Sequence, residues 1–405
     1  MIMKVMLVGF IDSSNIGDRL IAETLSQLLL SRDEVKKYSY KFKGESQIEI
    51  SNDRVPRSNI YDIYFKYIRS LPLVKNVVSK VKWMISQKKT YDPIDFKEFE
   101  KSLKQTDLLI IAGGNAIFDL SSATLSAVRF DRVVSLANKY QVPIFASSIG
   151  IGPFSTKKQK NAAVDTLNKC DYITFRDQRS LEYLESSNSN HAKAYASVDP
   201  VFLLPERAPF DQLKAQRNRY NKVGICIIDY RITGCSRKEY QRYLENLNLL
   251  ITQLAHPDRE IILFSTEIQD YDTVNSVYQE FSGKSKIKIK YIKNEKELLA
   301  FYQTLNLVIG TRMHSMIIAV SQYIPVIGLS WQQKVIEMFK NLGLEDDVIL
   351  VEELNTKMNV LLEKAEQKLK NNRIELDKMK QYKNKMQKEF EINHQVIDII
   401  RQNVE

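Results

Sequence analysis

The chain predicts an α/β protein of two domains, parallel sheets covered by helices on both faces, with a charged helical segment after them. Three observations lead there. Short β-branched runs alternate with longer amphipathic segments along most of the length, the pattern of buried parallel strands joined by helical crossovers. The 405 residues exceed a single core of about 100–200 residues. Hydrophobic residues at 44% and charged residues at 27% describe a globular chain with enough apolar surface to fill such cores.

In the first half, strands are expected at residues 4–10, 108–112, 143–148 and 171–175, with helices at about 20–30 and 122–140. A second series of strands follows at 223–229, 260–265, 286–291, 307–310 and 325–329. Between the series, Leu204-Pro205-Glu206-Arg207-Ala208-Pro209 carries two fixed-φ prolines and reads as the interdomain linker. Residues 1–205 and 210–351 are therefore the expected domains, and 352–405 a charged helical segment.

Two segments stand outside the alternation. Residues 60–89 are basic and laced with aromatics (Tyr61, Tyr64, Phe65, Tyr67, Trp83), which suits either an anionic membrane face or an ordinary helical insertion. After Glu352, Leu362, Ala365, Leu369, Leu376, Met379, Met386, Phe390, Ile397 and Ile400 recur by threes and fours, interrupted by Asn372, Lys383 and Asn393. Three polar breaks disfavour a free zipper and favour a helix lying across the body of the protein.

A formal charge of +10 favours an anionic partner: a phosphorylated substrate, an acidic membrane or nucleic acid. The cations are scattered and accompany no nucleic-acid motif, so nucleic acid is not expected. Cys170, Cys226 and Cys235 have no CxxC spacing; they fit a reduced, cytoplasmic setting and no zinc site. No apolar run approaches the roughly 18–20 residues that span a bilayer, and residues 1–10 lead into Asp12 and Asn15 without a cleavage site.

Candidate chemistry gathers at strand ends. After the first strand come Asp12-Ser13-Ser14-Asn15-Ile16-Gly17-Asp18 and a helix, a small polar turn whose backbone N–H groups face the crevice of an open sheet. It lacks the GxGxxG and GKS/T patterns of dinucleotide and P-loop sites, and Asn or Asp in a turn also serves local backbone bonds. Gly113-Gly114-Asn115-Ala116-Ile117-Phe118-Asp119 and Ser147-Ser148-Ile149-Gly150-Ile151-Gly152-Pro153 are expected to be loops of the same kind, their glycines admitting a ligand or simply making a turn. Arg176-Asp177 is either a surface ion pair or a cationic element of the crevice.

The sharpest constellation is Gly310-Thr311-Arg312-Met313-His314-Ser315, between a strand and an apolar helix starting near Met316. Arg312 offers a fork for phosphate or carboxylate, the helix start offers N–H groups and a positive dipole, and His314 exchanges protons near neutrality. His191, His256 and His394 have no such setting and read as structural or surface residues.

Taken in order, these pieces resemble the polysaccharide pyruvyl transferase family. The resemblance rests on Asn15-Ile16-Gly17-Asp18, Gly113-Gly114 with Asp119, Ser148-Ile149-Gly150 with Pro153, Phe175-Arg176-Asp177, Asp199-Pro200 with Phe202, Gly310-Thr311-Arg312-Met313-His314-Ser315, and Pro325-Val326-Ile327-Gly328 with Lys334. Asn115 and Trp331-Gln332-Gln333 depart from the family pattern.

The resemblance implies a glycosyltransferase-B-like pair of Rossmann-like domains facing across a cleft. It implies phosphoenolpyruvate as donor and co-substrate, with no further cofactor and no metal. The acceptor would be a sugar diol of a bacterial surface glycan or its lipid-linked precursor, for capsule, exopolysaccharide or cell wall, and the products a pyruvate ketal and phosphate. The setting would be cytoplasmic, peripheral to the inner face of the plasma membrane.

On that reading His314, Arg312 and Asp18 are catalytic, with His314 as acid or base and Asp18 or Asp119 accepting a hydroxyl proton. Asn15, Gly17, Gly113, Gly114, Asn115, Asp119, Arg176, Asp177, Ser315 and Lys334 bind substrate. Arg176 or Lys334 would be the second cation facing the donor's two anionic groups. Two other readings share the residues: a nucleotide-sugar glycosyltransferase holding a diphosphate at Arg312, and a non-catalytic carbohydrate-binding member.

Overall fold

The structure, a computed structural model, describes residues 2–48, 92–119, 126–154, 156–186, 193–206, 209–216 and 221–404. The basic-aromatic stretch 60–89 lies outside the described residues.

Two six-stranded sheets carry the molecule. The first contains β1 (Lys4–Gly9), β2 (Glu34–Ser39), β3 (Leu108–Asp119), β4 (Ile144–Phe154), β5 (Tyr172–Phe175) and β6 (Ala194–Ala196), in the order β2-β1-β3-β4-β5-β6. The second contains β7 (Asn221–Cys226), β8 (Arg259–Phe264), β9 (Ile287–Ile289), β10 (Leu307–Gly310), β11 (Val326–Ser330) and β12 (Val348–Leu350), in the order β12-β11-β10-β7-β8-β9. All ladders are parallel, with Val5 opposite Val35 and Leu108, and Ile309 opposite Ile225 and Ile327. Central strands such as Leu108 to Ile111 are fully buried, which is why they read as unbroken apolar runs instead of alternating ones.

Strand order reverses between β1 and β3 in one sheet and between β7 and β10 in the other. Such switch points open a crevice at the carboxyl ends of the strands. Helix α1 (Ile16–Ser26) starts after the first crevice strand. It precedes α2 (Pro93–Leu103), α3 (Ser126–Lys139), α4 (Lys157–Leu167), α5 (Gln178–Glu185) and α6 (Phe210–Gln216). Around the second sheet lie α7 (Arg237–Leu254), α8 (Tyr271–Gln279), α9 (Glu295–Tyr302), α10 (Met313–Ser321) and α11 (Gln333–Leu342).

Several expected boundaries move. The first helix occupies Ile16–Ser26 instead of 20–30, because Asn15 caps it: the Asn15 side chain accepts from the Gly17 N–H at 3.0 Å. The strand expected at 223–229 ends at Cys226, and the helix expected from Met316 begins at Met313. The two glycine-rich segments are not loops. The β3 and β4 ladder continues through them to Asp119 and Phe154, with shifted register after Gly114 and after Ile117. Gly114 and Ser148 adopt positive φ of 87° and 52°, so the bulge and not a turn is what the glycines serve.

The two sheet units share one apolar core, in which Ile16, Leu20 and Ile21 of α1 join Met316, Ile317 and Val320 of α10. Backbone links reinforce it, with Ile16 N–H donating to Thr266 O at 2.9 Å and Asn15 bridging Glu267. Arg19 also pairs with Glu295 across the same junction.

The C-terminal segment forms α12 (Met358–Lys370) and α13 (Asn372–Val404), broken at Asn371, so it is two helices and not one. Leu376, Met379, Met386, Phe390, Ile397 and Ile400 of α13 are buried as the spacing predicts. Each polar interruption is a docking point: Asn372 donates to Asn306 O at 2.9 Å, Lys383 to Leu204 O at 2.8 Å, and Asn393 enters the first sheet. At its far end Arg401 grips Asp33 at 3.0 and 2.6 Å, so α13 runs from the second sheet unit back onto the first. Among the described residues, no helix is long and apolar enough to cross a membrane.

Candidate functional site

The starts of α1 and α10 meet between the two sheets. Gly17 lies against His314 so closely that a Cβ there would stand 2.3 Å from the histidine Cβ and 2.7 Å from Nδ1. Only glycine leaves room for the ring. Asp18, one residue on, puts Oδ1 3.3 Å from His314 Nδ1. The other ring nitrogen, Nε2, stands 3.5 Å from Asp199 Oδ2. It is buried and completes no hydrogen bond among the described residues. A buried imidazole flanked by two carboxylates, one at each ring nitrogen, is suited to moving a proton.

Asp199 follows β6 and does two jobs. Its Oδ1 caps the turn Pro200–Leu203 by accepting from Val201 N–H at 3.1 Å, while Oδ2 faces both His314 and Arg176, the latter at 3.2 Å. Burial raises the affinity of its carboxyl for a proton. The neighbouring His314 and Arg176 and the Val201 N–H outweigh that and hold it down at about 2.

Arg176 follows β5 and is itself buried. Gly150 of β4 makes room for it, since a Cβ at Gly150 would come within 2.7 Å of the Arg176 Nε. Its expected partner Asp177 is 3.8 Å away, farther than Asp199, and instead caps α5 by accepting from Ser180 N–H at 2.8 Å.

On the opposite wall the Arg312 fork is already filled. Nε and Nη2 donate to the two oxygens of Asp270 at 2.7 and 2.8 Å, and Asp270 also accepts from Ser265 Oγ and Asp229 N–H. Arg312 is thus committed to a buried ion pair and is not the open anion fork expected from its position. Ser315 is likewise taken inward, donating to Arg312 O at 2.6 Å.

Lys334, at the start of α11, has the opposite character. It lines the cleft together with Arg176, Asp177 and Asp199 and with the apolar Phe202, Met313 and Ile317. Among the described residues no carboxylate comes within ion-pair distance of it. Burial pushes its ammonium down to about 7; Arg176 and Arg312 add to the fall, and Asp18 and Asp199 oppose it.

Of the residues expected from sequence, Asp18, Gly17, Arg176, His314 and Lys334 come together. Asn15, Asp177 and Ser315 serve local backbone bonds. Gly113 and Gly114 lie in the paired strand β3, and the side chains of Asn115 and Asp119 lie outside the described residues. Asp199 and Asp270 were not among the expected site residues. Asp199 was one of the residues on which the resemblance rests, given no role of its own, and it also caps the turn Pro200–Leu203; for Asp270 only its place after β8 could have pointed to it.

The polysaccharide pyruvyl transferase family profile matches residues 15–333. The chain belongs to this family. The matched span runs from Asn15 to Gln333, so it takes in Asp18, Arg176, Asp199 and His314 but stops one residue short of Lys334 and omits α12 and α13. Among individual relatives, the amylovoran biosynthesis protein AmsJ of Erwinia amylovora is 23% identical over 376 residues, covering 85% of this chain and 87% of that one. Among solved structures, Anabaena HepE in complex with UDP and glucose superposes with a TM-score of 0.53 at 11% identity, covering 98% and 99% of the two chains. A UDP-GlcNAc 2-epimerase of Methanocaldococcus jannaschii gives 0.49 at 12% identity over 89% and 93%. With the two parallel sheets and the returning helix, the architecture of this family member is glycosyltransferase-B-like, and the family is one of transferases.

Proposed function

We propose that the cleft binds phosphoenolpyruvate and transfers its three-carbon unit to a sugar diol of a bacterial glycan, releasing phosphate and leaving a cyclic pyruvate ketal. The observation that carries this reading is that Lys334, a cation with no carboxylate partner among the described residues, lines the cleft beside Asp199, which faces His314. The donor has two anionic groups. Lys334 with the N-terminal dipole of α10 suits one, and Arg176, seated on Gly150, faces the other.

Protonation of the donor's methylene carbon makes its neighbour electrophilic, one hydroxyl adds there, phosphate departs and the second hydroxyl closes the ring. Of the two hydroxyl protons, one replaces the proton given to the methylene and the other leaves with phosphate. His314 moves a proton from its position between the two carboxylates. Asp18, the more exposed of the pair, accepts from the sugar hydroxyl. Asp199 stays ionised and orients His314 and Arg176. Arg312, neutralised by Asp270, shapes the turn that presents His314.

Incubation with phosphoenolpyruvate and bacterial lipid-linked oligosaccharides tests this. The expected product is an acceptor heavier by one pyruvate less one water, with equimolar phosphate; phosphate release without ketal, or no consumption of the donor, removes the assignment. Contact with the inner face of the membrane is proposed from the composition of residues 60–89. Neutralising Lys80, Lys82, Lys88 and Lys89 is expected to weaken binding to anionic vesicles, and unchanged binding removes that contact.

A further inference from the structure

We propose that Asn393 of α13 is a positioning residue that sets the geometry of Arg176 and Asp199, and through them His314, from outside the cleft. The spacing Met386, Phe390, Asn393, Ile397 puts Asn393 in the middle of the apolar seam that binds α13 to the body. Packing alone calls for a leucine there, and a buried amide is tolerated only where its polar atoms are satisfied.

Asn393 uses its full capacity of two accepted and two donated bonds. Its Oδ1 accepts from Ser147 Oγ at 2.9 Å and from Thr174 Oγ1 at 2.6 Å; its Nδ2 donates to Ser197 Oγ at 2.6 Å and to Phe390 O at 3.1 Å. The three hydroxyls belong to three adjacent strands, Ser147 just before the bulge of β4, Thr174 near the end of β5 and Ser197 just past β6, and each stands two or three residues before a cleft element. Thr174 precedes Arg176, Ser197 precedes Asp199, and Ser147 precedes Gly150, the seat of the Arg176 guanidinium.

The coupling passes through a bulge. Thr174 Oγ1 also accepts from Ser148 N–H at 2.7 Å, Ser148 is at φ 52°, and β4 loses register with β5 between Ala146 and Ile149. Backbone pairing resumes past the bulge, with Arg176 N–H donating to Ile149 O at 3.2 Å and Ser197 N–H to Phe175 O at 2.6 Å, and the Asn393 amide adds a side-chain tie across the same three strands. Asn372, the matched interruption at the other end of α13, behaves differently. It donates to Asn306 O, and its Oδ1 has no partner among the described residues; it docks the helix to the second sheet unit at the start of β10, the end of that strand away from the cleft.

That contrast supplies the test. The full chain is compared as wild type, Asn393→Leu, Asn393→Asp and Asn372→Leu by thermal melting, by NMR titration of the imidazole resonances and by calorimetry with phosphoenolpyruvate. The chain has four histidines, and His314→Gln assigns the one of interest. Both leucine variants are expected to lower the melting temperature. Only Asn393→Leu is expected to move the His314 titration midpoint and to weaken phosphoenolpyruvate by about tenfold or more, as a small misplacement of binding groups does. Asn393→Asp keeps the acceptors and is expected to fall between, and it carries the test if the leucine variant does not fold.

An unchanged His314 titration in folded Asn393 variants, or equal changes in Asn372→Leu, overturns the proposal. The affinity arm rests on the proposed donor and the histidine arm does not. If wild type binds no phosphoenolpyruvate while the Asn393 variants still shift His314, the donor assignment falls and the positioning role stands.

Discussion

Lys334 offers a prediction whose size follows from its surroundings. In the free protein its ammonium titrates near 7 instead of 10.5 because burial and the nearby Arg176 and Arg312 outweigh Asp18 and Asp199. An anionic ligand beside it restores the proton. At pH 8 a group titrating near 7 is charged in only about one molecule in eleven, so binding takes up about 0.9 proton. The affinity for phosphoenolpyruvate should then fall about fivefold from pH 7 to 8 and about ninefold more from pH 8 to 9. The phosphate's own second ionisation, near pH 6, is about nine-tenths complete at pH 7 and adds little to the slope above it.

Calorimetry in two buffers of different ionisation enthalpy counts the protons directly. Lys334→Met should bind weakly with no slope, and Lys334→Arg should bind with a flat profile, because arginine stays charged throughout. The free protein obeys the same linkage: a lysine whose folded value lies below its unfolded value makes stability rise as pH climbs from about 7 to 10.5, and Lys334→Met should lose that rise. Wild-type affinity that is level from pH 7 to 9, with no proton uptake, refutes the reasoning.

Gly17→Ala should displace His314, since the added carbon would meet the ring within 2.7 Å; the expected result is a folded protein, less stable by about 1–3 kcal/mol, with turnover as low as in His314→Ala. Asp199 is held at about 2 against 3.8 unfolded, so it stabilises the fold by about 2 kcal/mol above its unfolded value and loses that as pH falls toward 2; the stability gap between wild type and Asp199→Asn, measured by denaturation, should close across that interval. Arg312→Ala leaves Asp270 as a buried carboxylate without its fork, and urea titration should report a loss of about 3–5 kcal/mol; a near-normal midpoint contradicts the ion-pair role.

Most of the architecture was legible because buried parallel strands are written as apolar runs: β1, β3 to β5 and β7 to β11 stand in the sequence. The strands that were not, β2, β6 and β12, lie at sheet edges. Glu34–Ser39 is polar and half exposed, and Ala194–Ala196 and Val348–Leu350 have three residues each, too few to show a period. The glycine segments were misread because glycine marks turns and bulges alike, and only the partner strand distinguishes them. At the site, His314 and Arg176 were found as polar residues just past strand ends, and Asp18 in the polar turn leading from the first strand into its helix. What sequence could not separate was which cation is already neutralised: Arg312 reads as the first anion-binding cation and Lys334 as a second choice until Asp270, 42 positions before Arg312, is seen in its fork. The polar breaks at Asn372, Lys383 and Asn393 argued correctly for a docked helix, but their partners lie too far away in the chain for any local pattern to name them.

The central claim is that this cleft takes phosphoenolpyruvate through Lys334 and Arg176. Calorimetric titration of the wild-type chain with phosphoenolpyruvate, beside UDP and repeated on Lys334→Met and Arg176→Ala, tests it most directly. The account predicts saturable binding of phosphoenolpyruvate near neutral pH, no binding of UDP, and loss of the heat in both variants. Binding of UDP alone, or phosphoenolpyruvate binding that survives both substitutions, contradicts it.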